Sequence, residues 1–152
     1  MLTDSKGEPI EILLVEDNPG DVRLTQEALK EGKVKNNLNV VKDGIEALAF
    51  LKKVDKYADA PIPGLILLDL NLPGKNGKEV LEEIKNDPIL KLIPVVILTS
   101  SEAEKDIIKT YSLHANCYIA KPVGLEKFIE VVKFIEDFWL TIVKLPSSVK
   151  YE

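Results

Sequence analysis

Apolar residues along this chain fall into two kinds of block. The first kind is short and nearly continuous: Ile10-Glu-Ile-Leu-Leu-Val15, Leu65-Ile-Leu-Leu68 and Ile93-Pro-Val-Val-Ile-Leu98. Weaker versions occur at Leu38-Asn-Val-Val41 and Cys117-Tyr-Ile-Ala120. Runs of this length, rich in Ile, Leu and Val, predict strands buried on both faces. Pro94 is acceptable there only near a strand's start. The second kind repeats with helical spacing. Residues 21–31 carry Val22, Leu24, Ala28 and Leu29 and stop at Gly32. Asp43-Gly44 opens a helix carrying Ile45, Ala47, Leu48, Phe50 and Leu51. Further helices are predicted over 77–86, 102–114 and 125–145. Residues 52–63 form a polar connection longer than most of its kind.

Five strands alternating with five helices imply an α/β fold, a parallel sheet covered on both faces. The chain of 152 residues suits one domain. We expect that domain over 1–145, with an extended last helix, and a loose tail over 146–152. In an open sheet of this kind, ligands bind beyond the carboxyl ends of the strands. That rule gives weight to Asp69, which closes the oily run Leu65–Leu68. Either the strand ends there and the carboxylate meets water, or a charge is wanted at that place.

The other strand ends carry their own chemistry. Glu16 and Asp17 follow the first strand, and Asn71 lies just after Asp69. Thr99, Ser100 and Ser101 follow the fourth strand, and Lys121-Pro122 the fifth. Neighbouring parallel strands lie about 4.8 Å apart, so carboxylates from adjacent ends would crowd and repel. A hard divalent cation resolves that conflict, and Mg²⁺ suits a few carboxylates plus waters plus a phosphate. A lysine and a small hydroxyl opposite could hold phosphoryl oxygens. The inventory fits phosphoryl transfer onto Asp69 as nucleophile.

Composition narrows the function classes. The net charge of −5, with no basic run, argues against nucleic-acid binding. The single cysteine, Cys117, cannot form an internal disulfide, which suits a reducing compartment. No secretory signal and no apolar stretch of membrane-spanning length is visible, so a cytoplasmic location is expected.

Glu16-Asp17, Asp69-Leu-Asn-Leu-Pro73 followed by Gly77, Thr99-Ser100 and Tyr118-Ile-Ala-Lys121-Pro122 together resemble the receiver domain of two-component response regulators. The resemblance spans roughly Pro9 to Ile135. It implies a flavodoxin-like (βα)5 doubly wound sheet in three layers, with strand order 2-1-3-4-5. It implies that Asp69 accepts a phosphoryl group from a sensor histidine kinase. Asp17, Asp69 and the backbone carbonyl of Asn71 would ligate Mg²⁺, with Glu16 acting through water. Lys121 would pair with the phosphoryl group, aimed by a cis peptide bond to Pro122. Thr99 and Tyr118 would form the conformational switch.

Structural alternatives stand beside each of these. Glu16-Asp17-Asn18 and Thr99-Ser100-Ser101 could serve as helix caps, Lys121-Pro122 as an ordinary turn, and Tyr118 as a packing residue. His114, the only histidine, reads as a surface or capping residue, and Cys117 as a small core hydrophobe. A phosphatase with an Asp nucleophile would want an acid where Asn71 stands. A receiver-like protein-binding scaffold without phosphorylation is the other rival. On the receiver reading the protein is not an enzyme in the turnover sense. It catalyses only its own phosphorylation and dephosphorylation, and its output is contact with a downstream protein.

On the last helix, at about 100° per residue, Phe128, Val132, Ile135, Trp139, Ile142 and Val143 share one side. Val131, Phe134, Phe138 and Leu145 form a second stripe. That stripe is either buried in the same domain or an exposed patch covered by a homodimer partner. The end of the helix resembles the small regulators paired with phytochrome-type kinases, which favours the dimer.

Overall fold

The near-continuous apolar runs form a five-stranded sheet. The computed structural model describes residues 9–31, 35–70, 72–99 and 117–120, together with Glu126. The strands are β1 (Ile10–Val15), β2 (Asn36–Val41), β3 (Leu65–Asp69), β4 (Val95–Thr99) and β5 (Cys117–Ala120). Between them lie α1 (Pro19–Glu31), α2 (Gly44–Lys52) and α3 (Gly77–Asn86), with single 3-10 turns at Asp55–Tyr57 and Leu90–Leu92. All neighbouring strands are parallel, in the order β2-β1-β3-β4-β5. The flavodoxin-like order 2-1-3-4-5 is the one expected.

Alternate residues of each central strand feed two separate cores, as the period of two requires. Leu13, Val15, Ile66, Leu68, Val95 and Ile97 meet Ala47, Leu48, Phe50 and Leu51 of α2 and Val80, Leu81 and Ile84 of α3. Ile12, Leu14, Leu65, Leu67, Val96 and Leu98 meet Ala28 and Leu29 of α1. The sheet is therefore the middle of three layers. Each fully buried Leu or Ile contributes about 1.5–3 kcal/mol, so both faces are strongly committed.

Several boundaries differ from expectation. Helix α1 begins at Pro19, not at residue 21. Proline suits the first helical position, and the Asn18 carboxamide caps the turn by accepting from the Asp21 N–H at 3.1 Å. Leu24, assigned to the apolar stripe, is exposed, while Thr25 is buried and donates its hydroxyl to the Asp21 carbonyl at 2.9 Å. Strand β2 starts at Asn36 rather than 38, because its backbone pairs with β1 from Ile10 onward. Strand β4 runs Val95–Thr99 instead of 93–98, with Pro94 just before it. The Pro94 carbonyl accepts from Ile66, so the proline serves as acceptor only. Ile45 on α2 is exposed rather than packed. The helices expected over 102–114 and 125–145 lie outside the described residues, Glu126 excepted, which is helical. Among the described residues, no helix is long and apolar enough to cross a membrane.

Candidate functional site

Strand register decides what gathers at the carboxyl edge. Val15 of β1 pairs with Leu68 of β3, so the next residues along, Glu16 and Asp69, stand side by side. The Glu16 N–H continues the ladder past the strand by donating to the Val41 carbonyl at 3.0 Å. Its side chain turns back to accept from the Asn18 N–H at 3.2 Å. Glu16 and Asp69 are almost wholly buried, at 1% and 2% exposure, whereas Asp17 faces solvent. One carboxylate oxygen from each of Glu16, Asp17 and Asp69 lies within 4.8 Å of the other two.

Three carboxylates, two of them buried, are costly together unless a positive charge joins them. The donor set is all oxygen, as a hard divalent cation requires, and its spacing fits Mg²⁺ with one or two direct carboxylates and the rest through water. The cluster has the donor set and spacing of a divalent cation site of the Mg²⁺ type.

After Asp69, Leu72 is buried, and the Gly77 N–H donates to the Leu70 carbonyl at 3.1 Å. A Cβ on Gly77 would collide with the Asp69 carbonyl oxygen and stand 2.5 Å from the Leu70 Cα. Glycine is required there by the approach of backbone to backbone. Gly44, where α2 begins, is similarly close to the Lys75 carbonyl. Asn76 closes the connection with a reciprocal cap: its side chain accepts from the Glu79 N–H at 2.9 Å, and Glu79 accepts from the Asn76 N–H at 3.1 Å. The Lys75 ammonium pairs with Glu83 of α3, which also takes Lys52 at 3.2 Å. Chiefly through Lys75, the Glu83 carboxyl is held below its ordinary range.

Of the candidate residues, Glu16, Asp17 and Asp69 are brought together. Thr99 ends β4; Asp69 is in register with Leu98, so the Thr99 backbone is one residue further along the adjoining strand. Tyr118 lies in β5, opposite Ile97. The side chains of Thr99 and Tyr118 lie outside the described residues. So do Asn71, Lys121, Pro122, Val131, Phe134, Phe138 and Leu145. Sequence reasoning passed over the contacts of Gly44, Lys75 and Glu83. The Asn76-x-x-Glu79 spacing was the one legible signal in that neighbourhood.

Comparison with known proteins agrees with this geometry. The response regulator receiver domain family matches residues 12–133. The chain is 49% identical to response regulator Rcp1 of Synechocystis sp. over 147 residues, 97% of this chain and 100% of Rcp1. The structure of the phosphorylated cyanobacterial phytochrome response regulator RcpA superposes with a TM-score of 0.72 at 53% identity, covering 88% of this chain and 95% of RcpA. The Mn²⁺-bound form of Rcp1 does so with a TM-score of 0.72 at 51% identity, covering 88% and 96%. With its sheet order, its buried acidic edge and these matches in accord, the chain belongs to the response regulator receiver domain family.

Proposed function

We propose that this protein is a phosphorylation-driven signalling switch, with Asp69 accepting a phosphoryl group from a sensor histidine kinase in the cytoplasm. The single observation that carries the reading is the meeting of Glu16, Asp17 and Asp69 at the carboxyl edge of β1 and β3. The relatives add support: RcpA was crystallised in a phosphorylated form and Rcp1 with Mn²⁺. RcpA is a phytochrome response regulator, so a phytochrome-type kinase is the proposed donor class.

Asp17 and Asp69 would hold Mg²⁺ with the Asn71 carbonyl, and Glu16 would act through a water. When bound, Mg²⁺ would offset the negative charge of the carboxylates and of the phosphoryl oxygens. An Asp69 carboxylate oxygen attacks phosphorus as the phosphorus–nitrogen bond of the donor histidine breaks, and the ring nitrogen leaves with the electron pair. An acyl phosphate results. Water later attacks phosphorus, releasing inorganic phosphate and restoring the carboxylate. Lys121 would pair with the phosphoryl oxygens, with a cis bond to Pro122 proposed to aim it. Thr99 moves toward the group and Tyr118 follows, biasing a two-state equilibrium that a downstream protein reads. The stripe of Val131, Phe134, Phe138 and Leu145 is proposed as a homodimer face, on the strength of its sequence spacing.

The test is acetyl phosphate with Mg²⁺, followed by intact mass. One added phosphoryl group, absent from Asp69→Asn, supports the reading. No added mass in the wild-type protein refutes it.

A further inference from the structure

Lys75 is where the connection after Asp69 meets two helices, α2 at its backbone and α3 at its side chain. At its backbone, Gly44 lies so near that a Cβ there would collide with the Lys75 carbonyl oxygen and stand 2.9 Å from the carbonyl carbon. At its side chain, the Lys75 ammonium pairs with one carboxylate oxygen of Glu83 on α3, while the other oxygen takes Lys52 at 3.2 Å. Gly44 is the first residue of α2 and Lys52 the last. Lys75 thus touches the start of α2 directly and is linked to its end through Glu83 of α3.

We propose that Lys75 is a positioning residue for phosphoryl uptake, through which α2 sets the place of the connection between Asp69 and α3. The proposal rests on the reading of Asp69 as phosphoacceptor. Little slack separates the two residues. Lys75 lies two residues before Gly77, whose N–H is tied to the Leu70 carbonyl and which itself lies against the Asp69 carbonyl. A shift at Lys75 therefore passes to the acceptor backbone instead of being absorbed by a loose loop. Phosphoryl transfer is sensitive to such shifts, since misplacement by about 1 Å can cost about a hundredfold in rate. The Lys75 charge is engaged by Glu83, so its influence runs through the backbone it anchors. The carboxylate of Glu83 joins both lysines, and its loss removes the side-chain link while the approach of Gly44 to the Lys75 carbonyl remains.

The ion pairs are partly exposed, with side-chain exposures of 33% for Lys75, 34% for Glu83 and 48% for Lys52. Such pairs add little to global stability, which lets position be tested apart from folding. The experiment compares wild type, Lys75→Met, Glu83→Gln, the double variant, Lys75→Arg and Asp69→Asn. Glu27→Gln, which breaks an exposed ion pair on α1, serves as the control. Uptake from acetyl phosphate at saturating Mg²⁺ is followed by intact mass, and Mg²⁺ affinity by calorimetry without any phosphodonor.

Both single variants should melt within a few degrees of wild type, take up phosphate roughly three- to tenfold more slowly, and bind Mg²⁺ more weakly. The double variant should be no slower than either single, as expected when the two residues act through one contact. Lys75→Arg should restore most of the rate, and Glu27→Gln should match wild type. Wild-type uptake and wild-type Mg²⁺ affinity in both single variants would overturn the proposal, as would equal slowing in Glu27→Gln. An unlabelled wild-type protein is a separate result: it removes the phosphoacceptor reading itself, and this inference with it.

Discussion

Gly77 lies directly on the carbonyl of Asp69, with its own N–H bonded to the Leu70 carbonyl at 3.1 Å. The start of α3 is therefore seated on the backbone of the acidic edge, and there is no room for a side chain. Gly77→Ala should lower stability despite alanine's better helix propensity. Overpacking costs about 1–3 kcal/mol, and propensity returns at most about 1 kcal/mol. Urea unfolding measures the balance, and a variant as stable as wild type would contradict the contact.

Mg²⁺ should stabilise the folded protein by mass action. The acidic cluster needs the fold to bring β1 and β3 together, so the unfolded chain has no equivalent site. At a hundredfold excess over the dissociation constant the gain is about 2.7 kcal/mol. Thermal melts with excess MgCl₂ against EDTA should show a clear rise in wild type, and a much smaller one in Asp17→Asn or Asp69→Asn. An equal rise in all three would remove the cluster from cation binding.

Tyr57 ties the long connection before β3 back to α2. Its hydroxyl donates to Glu46 at 2.7 Å, and Lys56 lies 3.4 Å from the same carboxylate oxygen. The Tyr57 hydrogen bond, with Lys56 adding, holds the Glu46 carboxyl below its ordinary value of 4.5. A lowered folded-state value means the contribution is present above that ordinary value and fades as pH falls through the folded one. Tyr57→Phe should cost about 1 kcal/mol at neutral pH, with the gap to wild type narrowing in acid. Denaturant melts at the two pH values check the sign: a gap that widened in acid would rule the account out.

Asn76 is the cap on which α3 begins. Asn76→Ala removes the acceptor for the Glu79 N–H and should cost about 1 kcal/mol. Asn76→Asp should keep most of it, since aspartate caps equally well. Equal losses in both variants would show that the site tolerates no change, whatever its capping.

The proposed dimer makes its own prediction. Sedimentation of the purified protein should show a dimer that Phe134→Asp weakens. A clean monomer at high micromolar concentration would defeat it.

The sequence by itself determined the five strands, the first three helices and the kind of chemistry. Unbroken runs such as Leu65–Leu68, alternating with helical patterns, suit a sheet covered on both sides, and a carboxylate placed at such a run's end lies at the edge where ligands sit. The reciprocal spacing of Asn76 and Glu79 likewise follows from backbone geometry over a single turn. Tertiary structure decided which strand ends meet, because periodicity tells which face a residue takes and not which strand lies beside it. Glu16 joins Asp69 only because β1 pairs with β3 in the register Val15 to Leu68. The separate pairing of β2 with β1 drew β2 out to Asn36. The close seats of Gly44 on Lys75 and Gly77 on Asp69 belong to that level too. They are contacts between backbones, and a glycine in a sequence does not reveal which backbone it touches.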